Sequence, residues 1–262
     1  MVFASRMLLA AVLTGVCMAA LGGCAQTTTS AEGPSLHQGF AAYQADNYSQ
    51  AAINARQYIA ANPEGTQLDD AYYLLGISHE TQGQFHRARQ AFERAISLTH
   101  QNAVLRKANK ALGDMAFAKG HYSQAASYYQ AAMAAMNGHT PPATMLFKYG
   151  AALQDSGHWN AAREPLSKAV ADAPGSTAAI DAQQRLAVNH FALQYGAFLF
   201  NKSAWALVGQ LRSAGISATV VPSLVGGRTL YLVQSGNYST LPAAMAARNV
   251  ESHRYPQVLV VP

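Results

Sequence analysis

Residues 76–92 have the sequence GISHETQGQFHRARQAF, and this stretch decides the fold of much of the chain. Gly76 is followed after seven residues by Gly83, after nine by Phe85, and after twelve and sixteen by Ala88 and Phe92. Two antiparallel helices that cross closely and stack on another pair need a small residue within the first helix, a turn glycine, an aromatic residue and an alanine. The stretch therefore predicts a helical hairpin.

The same pattern recurs with a period of 37 residues at Gly39, Gly76, Gly113 and Gly150. The later positions of the pattern are occupied by Asp46, Gly83, Gly120 and Gly157, by Tyr48, Phe85, Tyr122 and Trp159, by Ala51, Ala88, Ala125 and Ala162, and by Ala55, Phe92, Tyr129 and Leu166. The pattern resembles the tetratricopeptide repeat (TPR), whose usual period is about 34 residues. We expect a TPR-like solenoid of four helix pairs with a capping helix over residues 36–189.

The inner face of such a solenoid is formed by the first helix of each pair, at offsets −3, +1 and +4 from the repeated glycine. The residues at these offsets in the last three repeats are Tyr73, Ile77, Glu80, Lys110, Asp114, Phe117, Phe147, Ala151 and Gln154. Mixed aromatic and charged side chains in a groove suit an extended peptide or a partner helix. The sequence predicts a protein-binding groove here, and a passive spacer is the alternative.

The N-terminus has the order of an export signal. Arg6 is followed by an uncharged run from Met7 to Ala20 that is too short for a membrane span, and then by LGGC at 21–24. These four residues resemble a bacterial lipobox, which implies a signal peptide over 1–23 and a lipid on Cys24; an ordinary signal peptide with a chance cysteine is the alternative. Ala25 after the lipidated cysteine implies the outer membrane, on its periplasmic face. Residues 24–35 are expected to form a flexible tether.

The chain changes character at residue 190. Residues 190–262 contain five Lys or Arg residues and a single acid, Glu251, so their formal charge is positive. The whole chain has a formal net charge of +5. A basic region of this kind favours an anionic partner. Apolar residues alternate from Phe191 to Phe198, which predicts a strand with Gln194 and Gly196 on the face opposite Leu193 and Tyr195. Helix patterns at 202–213 and 240–249 and strand patterns at 217–224, 228–236 and 257–261 complete the order β-α-β-β-α-β, with both helices on one side of the sheet.

Four motifs of this module carry a resemblance to the SPOR (sporulation-related repeat) domain: FALQYGAF at 191–198, LRSAG at 211–215, GRTLYLV at 227–233 and SGNY at 235–238. The resemblance covers residues 190–262 and implies binding of peptidoglycan glycan strands that have lost their stem peptides. It places the sugar on the helix-free face of the sheet. The candidate glycan-binding residues are Gln194, Gly196, Ala197, Arg228, Leu230, Leu232, Gln234 and Tyr255.

The two leucines depart from the family, which often has aromatic or basic residues at these positions. Leu230 and Leu232 stack on or hydrogen-bond a sugar less well, and they suit a protein contact instead. Arg228 and Tyr255 are candidates to compensate for them, although Arg228 also suits a solvated hairpin and Tyr255 also suits packing at the start of a strand. A protein–protein scaffold without glycan binding is therefore the alternative function.

No catalytic constellation stands out in the sequence. There is no GxSxG elbow or phosphate loop, and His79-Glu80 lacks the second histidine of a zinc-binding helix. The sheet domain is RNP-like in outline but lacks the paired aromatic residues that stack RNA bases. We expect a non-enzymatic, lipid-anchored protein with no cofactor, no metal and no nucleic-acid partner. The SPOR resemblance implies a role in cell division or envelope organisation.

Overall fold

The computed structural model describes residues 35–262, so the predicted signal peptide, Cys24 and most of the tether lie outside the described residues. The described residues form nine helices, then a domain with four strands and two helices. The helical region consists of α1 (Leu36–Gln44), α2 (Tyr48–Ala61), α3 (Leu68–Thr81), α4 (Phe85–Leu98), α5 (Asn102–Ala118), α6 (Tyr122–Ala134), α7 (Ala143–Asp155), α8 (Trp159–Asp172) and α9 (Thr177–Leu186). The second domain consists of β1 (Phe191–Phe198), α10 (Asn201–Ser213), β2 (Ala218–Val225), β3 (Arg228–Tyr238), α11 (Leu241–Glu251) and β4 (Leu259–Val261).

The repeat pattern maps onto four helix pairs as predicted. The second helices begin at the four repeated aromatic residues, Tyr48, Phe85, Tyr122 and Trp159. The turn before each of them has a residue with positive φ, which is Asp46 in the first repeat (φ 57°) and a glycine in the other three. Left-handed backbone is least costly for glycine and is also tolerated by aspartate, so the turn explains this repeated position.

The repeated glycines let the two helices of a pair approach each other. A Cβ atom on Gly113 would lie 2.8 Å from Cε1 of Tyr129, and one on Gly150 would lie 2.6 Å from Cγ of Leu166. Tyr129 and Leu166 are fully buried. In the first repeat a Cβ on Gly39 would instead meet Leu74 of the next repeat, at 2.6 Å. These glycines are therefore packing residues.

The second domain has one antiparallel sheet with the strand order β2-β3-β1-β4. Helices α10 and α11 cover one face, where Leu193, Tyr195 and Val233 of the strands pack against Val208 and Leu211 of α10. The β2–β3 hairpin turns through two glycines with positive φ at 226 and 227, as a tight two-residue turn requires. The other face carries no helix of this domain, and we call it the open face.

The helical repeats contact the sheet domain through the turn between α7 and α8. The indole Nε1 of Trp159 donates a hydrogen bond of 2.7 Å to the backbone oxygen of Ser239, and its ring centroid lies 5.0 Å from that of Phe191. Gly157 fits beneath Thr240, since a Cβ there would lie 3.0 Å from Cγ2 of Thr240. The two regions therefore belong to one compact unit.

Within residues 35–262, no helix has the length and apolar character that crossing a membrane demands.

Candidate functional site

The open face is organised as rows of side chains that run across the strands. Gln194 of β1 lies opposite Gln234 of β3, and these two are flanked by Thr219 of β2 and Leu259 of β4. The two neighbouring carboxamides supply donors and acceptors to a ligand that lies across the middle strands. Towards the hairpin the next row is apolar, because Leu232 lies between Val221 and Ala197, and in the row after it Leu230 pairs with Ser223.

The structure corrects the predicted position of Gly196. Gln194 pairs with Gln234 but Gly196 already pairs with Val233, so Tyr195 is an extra residue in β1 and forms a β-bulge. The bulge turns Gly196 towards the helices, where a Cβ would lie 3.3 Å from Cδ2 of Leu207. The alternation resumes after the bulge, which leaves Ala197 on the open face as predicted.

Tyr255 also lies on the helix side of the sheet. Its ring packs edge-on against the buried Tyr195, with 5.3 Å between centroids, and it belongs to the apolar core of the domain. Burial, followed by the negative charge of Glu251, raises the pKa of Tyr195 to about 12 in this cluster. Tyr255 therefore cannot compensate for the leucines of the open face. Its observed role is the alternative one, packing at the start of a strand.

The positive charge of the domain is not concentrated on the open face. Lys202 and Arg212 lie on α10 and Arg248 lies on α11, whose Nε donates to the backbone oxygen of Val258. Arg254 follows α11 and lies over the ring of Tyr255. Only Arg228, at the start of β3, has the strand register of the open face. Amide and apolar groups therefore dominate the open face, and most of the positive charge counted for residues 190–262 lies elsewhere in the domain.

A cleft of about 480 Å³ lies at one end of the open face. Its sheet side is lined by Ala192, Thr219, Val221 and Gln234, and its other side by the linker 187–190 that leads from α9 into β1. The linker was not among the predicted site residues. No sequence pattern marks it, because its position depends on how α9 is docked against the repeats.

The first helices of the second, third and fourth repeats present a charged cluster, which with the flanking aromatic residues we call the repeat groove. Asp114 accepts hydrogen bonds from Nζ of Lys110 at 2.7 Å, from Nζ of Lys148 at 2.6 Å and from the hydroxyl of Tyr129 at 2.7 Å. Burial alone raises the pKa of the Asp114 carboxyl, but these three hydrogen bonds outweigh it, so the pKa lies below its ordinary value. Lys148 and Tyr129 were not predicted as parts of this cluster.

Other predicted groove residues surround this cluster and are half-buried. Burial, followed by the negative charge of Asp114, raises the pKa of Glu80 despite the opposing lysines. The ring of Tyr73 packs on Phe92 at 5.9 Å and lies 5.6 Å from Nζ of Lys107, and burial raises its pKa to about 12. The remaining half-buried groove residues are Ile77, Phe117 and Phe147, which pack on the repeat cores.

The fourth repeat offers less to a ligand than predicted. Gln154 is only 2% exposed, because α9 covers it: its Nε2 donates to the backbone oxygen of Arg185 at 2.9 Å. Arg185 also pairs with the buried Asp155 at 2.7 Å. Ala151 is fully buried. The capping helix therefore removes Gln154 from the groove, and the burial of Ala151 removes that residue as well.

Comparisons with known proteins identify both regions. The SPOR domain family model matches residues 187–260, and a tetratricopeptide repeat model matches residues 69–102, which contain the second repeat. No curated protein matches the chain. SPOR domains in general bind peptidoglycan and tetratricopeptide repeats bind proteins, so both are binding and scaffold domains rather than catalytic ones.

Solved structures resemble the chain at low identity. A tetratricopeptide repeat protein from Parabacteroides merdae ATCC 43184 is 14% identical, with a TM-score of 0.50, over 58% of this chain and 57% of that one. MamA from Desulfovibrio magneticus RS-1 is 16% identical, with a TM-score of 0.46, over 58% and 90% of the two chains. PilW, a type IV pilus biogenesis factor, is 20% identical, with a TM-score of 0.47, over 58% and 65%. The Parabacteroides likeness shows a shared fold, and the described residues are tetratricopeptide-type helical repeats followed by a C-terminal SPOR domain.

Proposed function

We propose that the protein is a non-enzymatic locator that binds denuded glycan strands of peptidoglycan through the open face and holds a partner protein in the repeat groove. A lipid on Cys24 would tie it to the periplasmic face of the outer membrane. Wall amidases that remove stem peptides during division would create its ligand. Two attachments on one chain raise the effective concentration of each binding site at the envelope, so a weak glycan affinity is sufficient.

The observation that carries the glycan proposal is the pairing of Gln194 with Gln234 in a SPOR domain, next to the cleft. A stripped glycan presents hydroxyl and acetamido groups, and two adjacent carboxamides match both their donors and their acceptors. Ala192 and Val221 supply small apolar surface in the cleft, which suits the methyl of an acetamido group. Arg228 is available to the carboxylate of a muramic acid residue.

The test is a pelleting assay with intact and amidase-stripped sacculi, using the compact unit of residues 35–262. We expect the wild type to prefer stripped sacculi, and Gln194→Ala or Gln234→Ala to lower the bound fraction at least threefold. Gln210→Ala is the matched control, since Gln210 is an exposed glutamine on α10, on the opposite side of the sheet. Equal binding of the wild type to both kinds of sacculi, or no binding, would refute the glycan proposal.

The apolar rows of the open face favour one alternative, a scaffold whose sheet contacts protein. Val221 is 38% exposed and lies beside the half-buried Leu232. Leu259 is 54% exposed and lies beside Gln194. If stripped sacculi do not retain the protein, Leu232→Ser and Leu259→Ser should then reduce capture of a partner protein. Release of muropeptides from sacculi would contradict both proposals, because it would reveal a hydrolase.

A further inference from the structure

A small pocket lies outside both binding surfaces, between α2, the end of α3 and the start of α4. Its volume is about 120 Å³, and its lining includes Arg56, His79, Gln82 and Arg87. His79 is only 5% exposed. Among residues 35–262, neither Nδ1 of His79 nor Nε2 of Gln82 has a hydrogen-bond partner. Buried polar groups without partners are destabilising, so this pair of nitrogens needs an explanation.

The other repeats show that helix packing does not require a histidine at this position. His79 follows the repeated glycine by three residues, and the equivalent residues are Ala42, Ala116 and Leu153. An alanine or a leucine fills the same place without leaving a polar atom unpaired. The histidine therefore serves something other than the repeat core.

Two arginines of different repeats meet at the same pocket. Arg56 belongs to α2 and Arg87 to α4, and the equivalent positions in the other repeats hold no arginine or lysine. The pocket lining contains no aspartate or glutamate. Arg87 donates to Oε1 of Gln84 at 3.1 Å, which leaves most of its N–H groups free to bind a ligand.

The charge balance of the pocket is positive and uncompensated. Burial, followed by the charges of Arg56 and Arg87, lowers the pKa of His79, and the nearby Gln84 side chain opposes this only in part. The imidazole is therefore neutral near pH 7 and able to donate one hydrogen bond. The amide of Gln82 is oriented by a 3.0 Å hydrogen bond from Nε2 of Gln84 to its Oε1, which leaves the Gln82 NH₂ group as a second donor.

We propose that this pocket binds a small oxyanion, a carboxylate or a phosphate group, between the two arginines and the donors of His79 and Gln82. Two guanidinium groups and two neutral donors match the several acceptor lone pairs of such a group. The volume suits one such group and not a peptide segment. The carboxylate would belong to an acidic side chain or C-terminus of a partner, and the phosphate to a free or lipid-borne phosphate.

The test is a titration of residues 35–262 with potassium phosphate and with sodium acetate, at an ionic strength kept constant with sodium chloride. The readout is the ¹⁵N–¹H correlation spectrum of the histidine rings, in which His79→Leu assigns the His79 signal. We expect a saturable shift of that signal with phosphate or acetate. The anion that binds more tightly identifies phosphate or carboxylate as the chemistry.

Arginine variants separate a specific site from a general salt effect. Arg56→Gln and Arg87→Gln should each weaken binding at least tenfold, whereas Arg163→Gln, at an exposed position on α8, should leave it unchanged. His79→Leu should fold, because leucine occupies the equivalent place in the fourth repeat, and it should lose the rise in Tm that phosphate or acetate gives the wild type relative to chloride. Shifts that chloride reproduces, or arginine variants that bind like the wild type, would overturn the proposal. Sacculus binding should not change in these variants, so this site and the glycan site fail independently.

Discussion

Trp159 connects the helical repeats to the sheet domain through two contacts, which we call the joint, and replacing it tests the structure directly. The Trp159→Ala change removes the 2.7 Å hydrogen bond to Ser239 and the ring contact with Phe191. A neutral hydrogen bond contributes about 1 kcal/mol and an aromatic pair about 0.5–1.5 kcal/mol. With the lost burial of a partly buried indole, we expect the free energy of unfolding to fall by about 2–3 kcal/mol, less than the roughly 3–5 kcal/mol of a core aromatic.

A conservative variant divides this total. Trp159→Phe keeps a ring against Phe191 but has no N–H for Ser239, so its cost should be about 1 kcal/mol. Trp205→Ala is the matched control, because Trp205 on α10 is 52% exposed, and it should change stability by no more than about 0.5 kcal/mol. Urea denaturation followed by circular dichroism measures all three variants on residues 35–262 without relying on tryptophan fluorescence.

The same variants test whether the joint couples the two regions. If it does, Trp159→Ala should make the linker 187–190 more sensitive to proteolysis, and the single unfolding transition should broaden or split. In a double-mutant cycle with Phe191→Ala, the coupling energy should be about 0.5–1.5 kcal/mol. A Trp159→Ala protein that is as stable as the Trp205→Ala control, with an unchanged linker, would refute the idea that this contact holds the regions together.

Three further substitutions, one of them with a matched control, test particular contacts. Gly76→Ala should destabilise by about 1–3 kcal/mol in urea, because its Cβ would lie 2.5 Å from Cε1 of Phe92, whereas Gly209→Ala, in open space on α10, should stabilise by about 0.5–1 kcal/mol through helix propensity. The lowered pKa of His79 means that the unfolded chain binds its proton first as pH falls below about 6.5, so Tm should fall as the pH drops below that value, and His79→Leu should reduce that fall. Asp114→Asn should weaken capture of a groove partner severalfold in a pull-down, because two lysines lose their shared carboxylate, while its stability cost stays near about 1 kcal/mol since the ion pairs are partly exposed.

The helical region could be predicted closely because its signals are local. Each repeat carries its own packing glycine and its own turn residue, and the aromatic residue that starts the second helix recurs at a fixed offset. In the structure α4 begins at Phe85, which is the aromatic residue of its repeat. What the offsets could not show is that α9 folds over the end of the groove, because the burial of Gln154 depends on a contact with Arg185, 31 residues away.

The sheet could be predicted in topology but not in the detail of its face. Alternation assigns residues to faces only while every residue is paired, and the bulge at Tyr195 breaks that condition within β1. For this reason Gly196 lies on the helix side of the sheet and not on the predicted open face. The position of Tyr255 was open for a different reason, since it lies in the connection between α11 and β4, where no period applies.

The sequence gives the net charge of residues 190–262 but not the face on which the basic side chains lie. A net charge gives the long-range attraction of a domain without giving the direction in which its bases point. Four of the five bases lie on or after the helices, so they can draw the domain towards an anionic envelope without touching a ligand on the open face. Under the proposed function, ligand contacts on that face would depend on the amides of Gln194 and Gln234 and on Arg228.

The Trp159 contact and the linker 187–190 connect the helical repeats to the cleft at the end of the open face. The linker 187–190 forms one wall of the cleft, and it leaves α9, which is held by the buried pair of Arg185 with Asp155. On the other side, Trp159 fixes the sheet domain against the fourth repeat. Because both ends of the linker are tied to packed elements, the cleft wall is part of the folded unit. A ligand in the cleft would therefore contact the linker as well as the sheet, and under the proposed function this packing would set the direction of the repeat groove relative to the glycan.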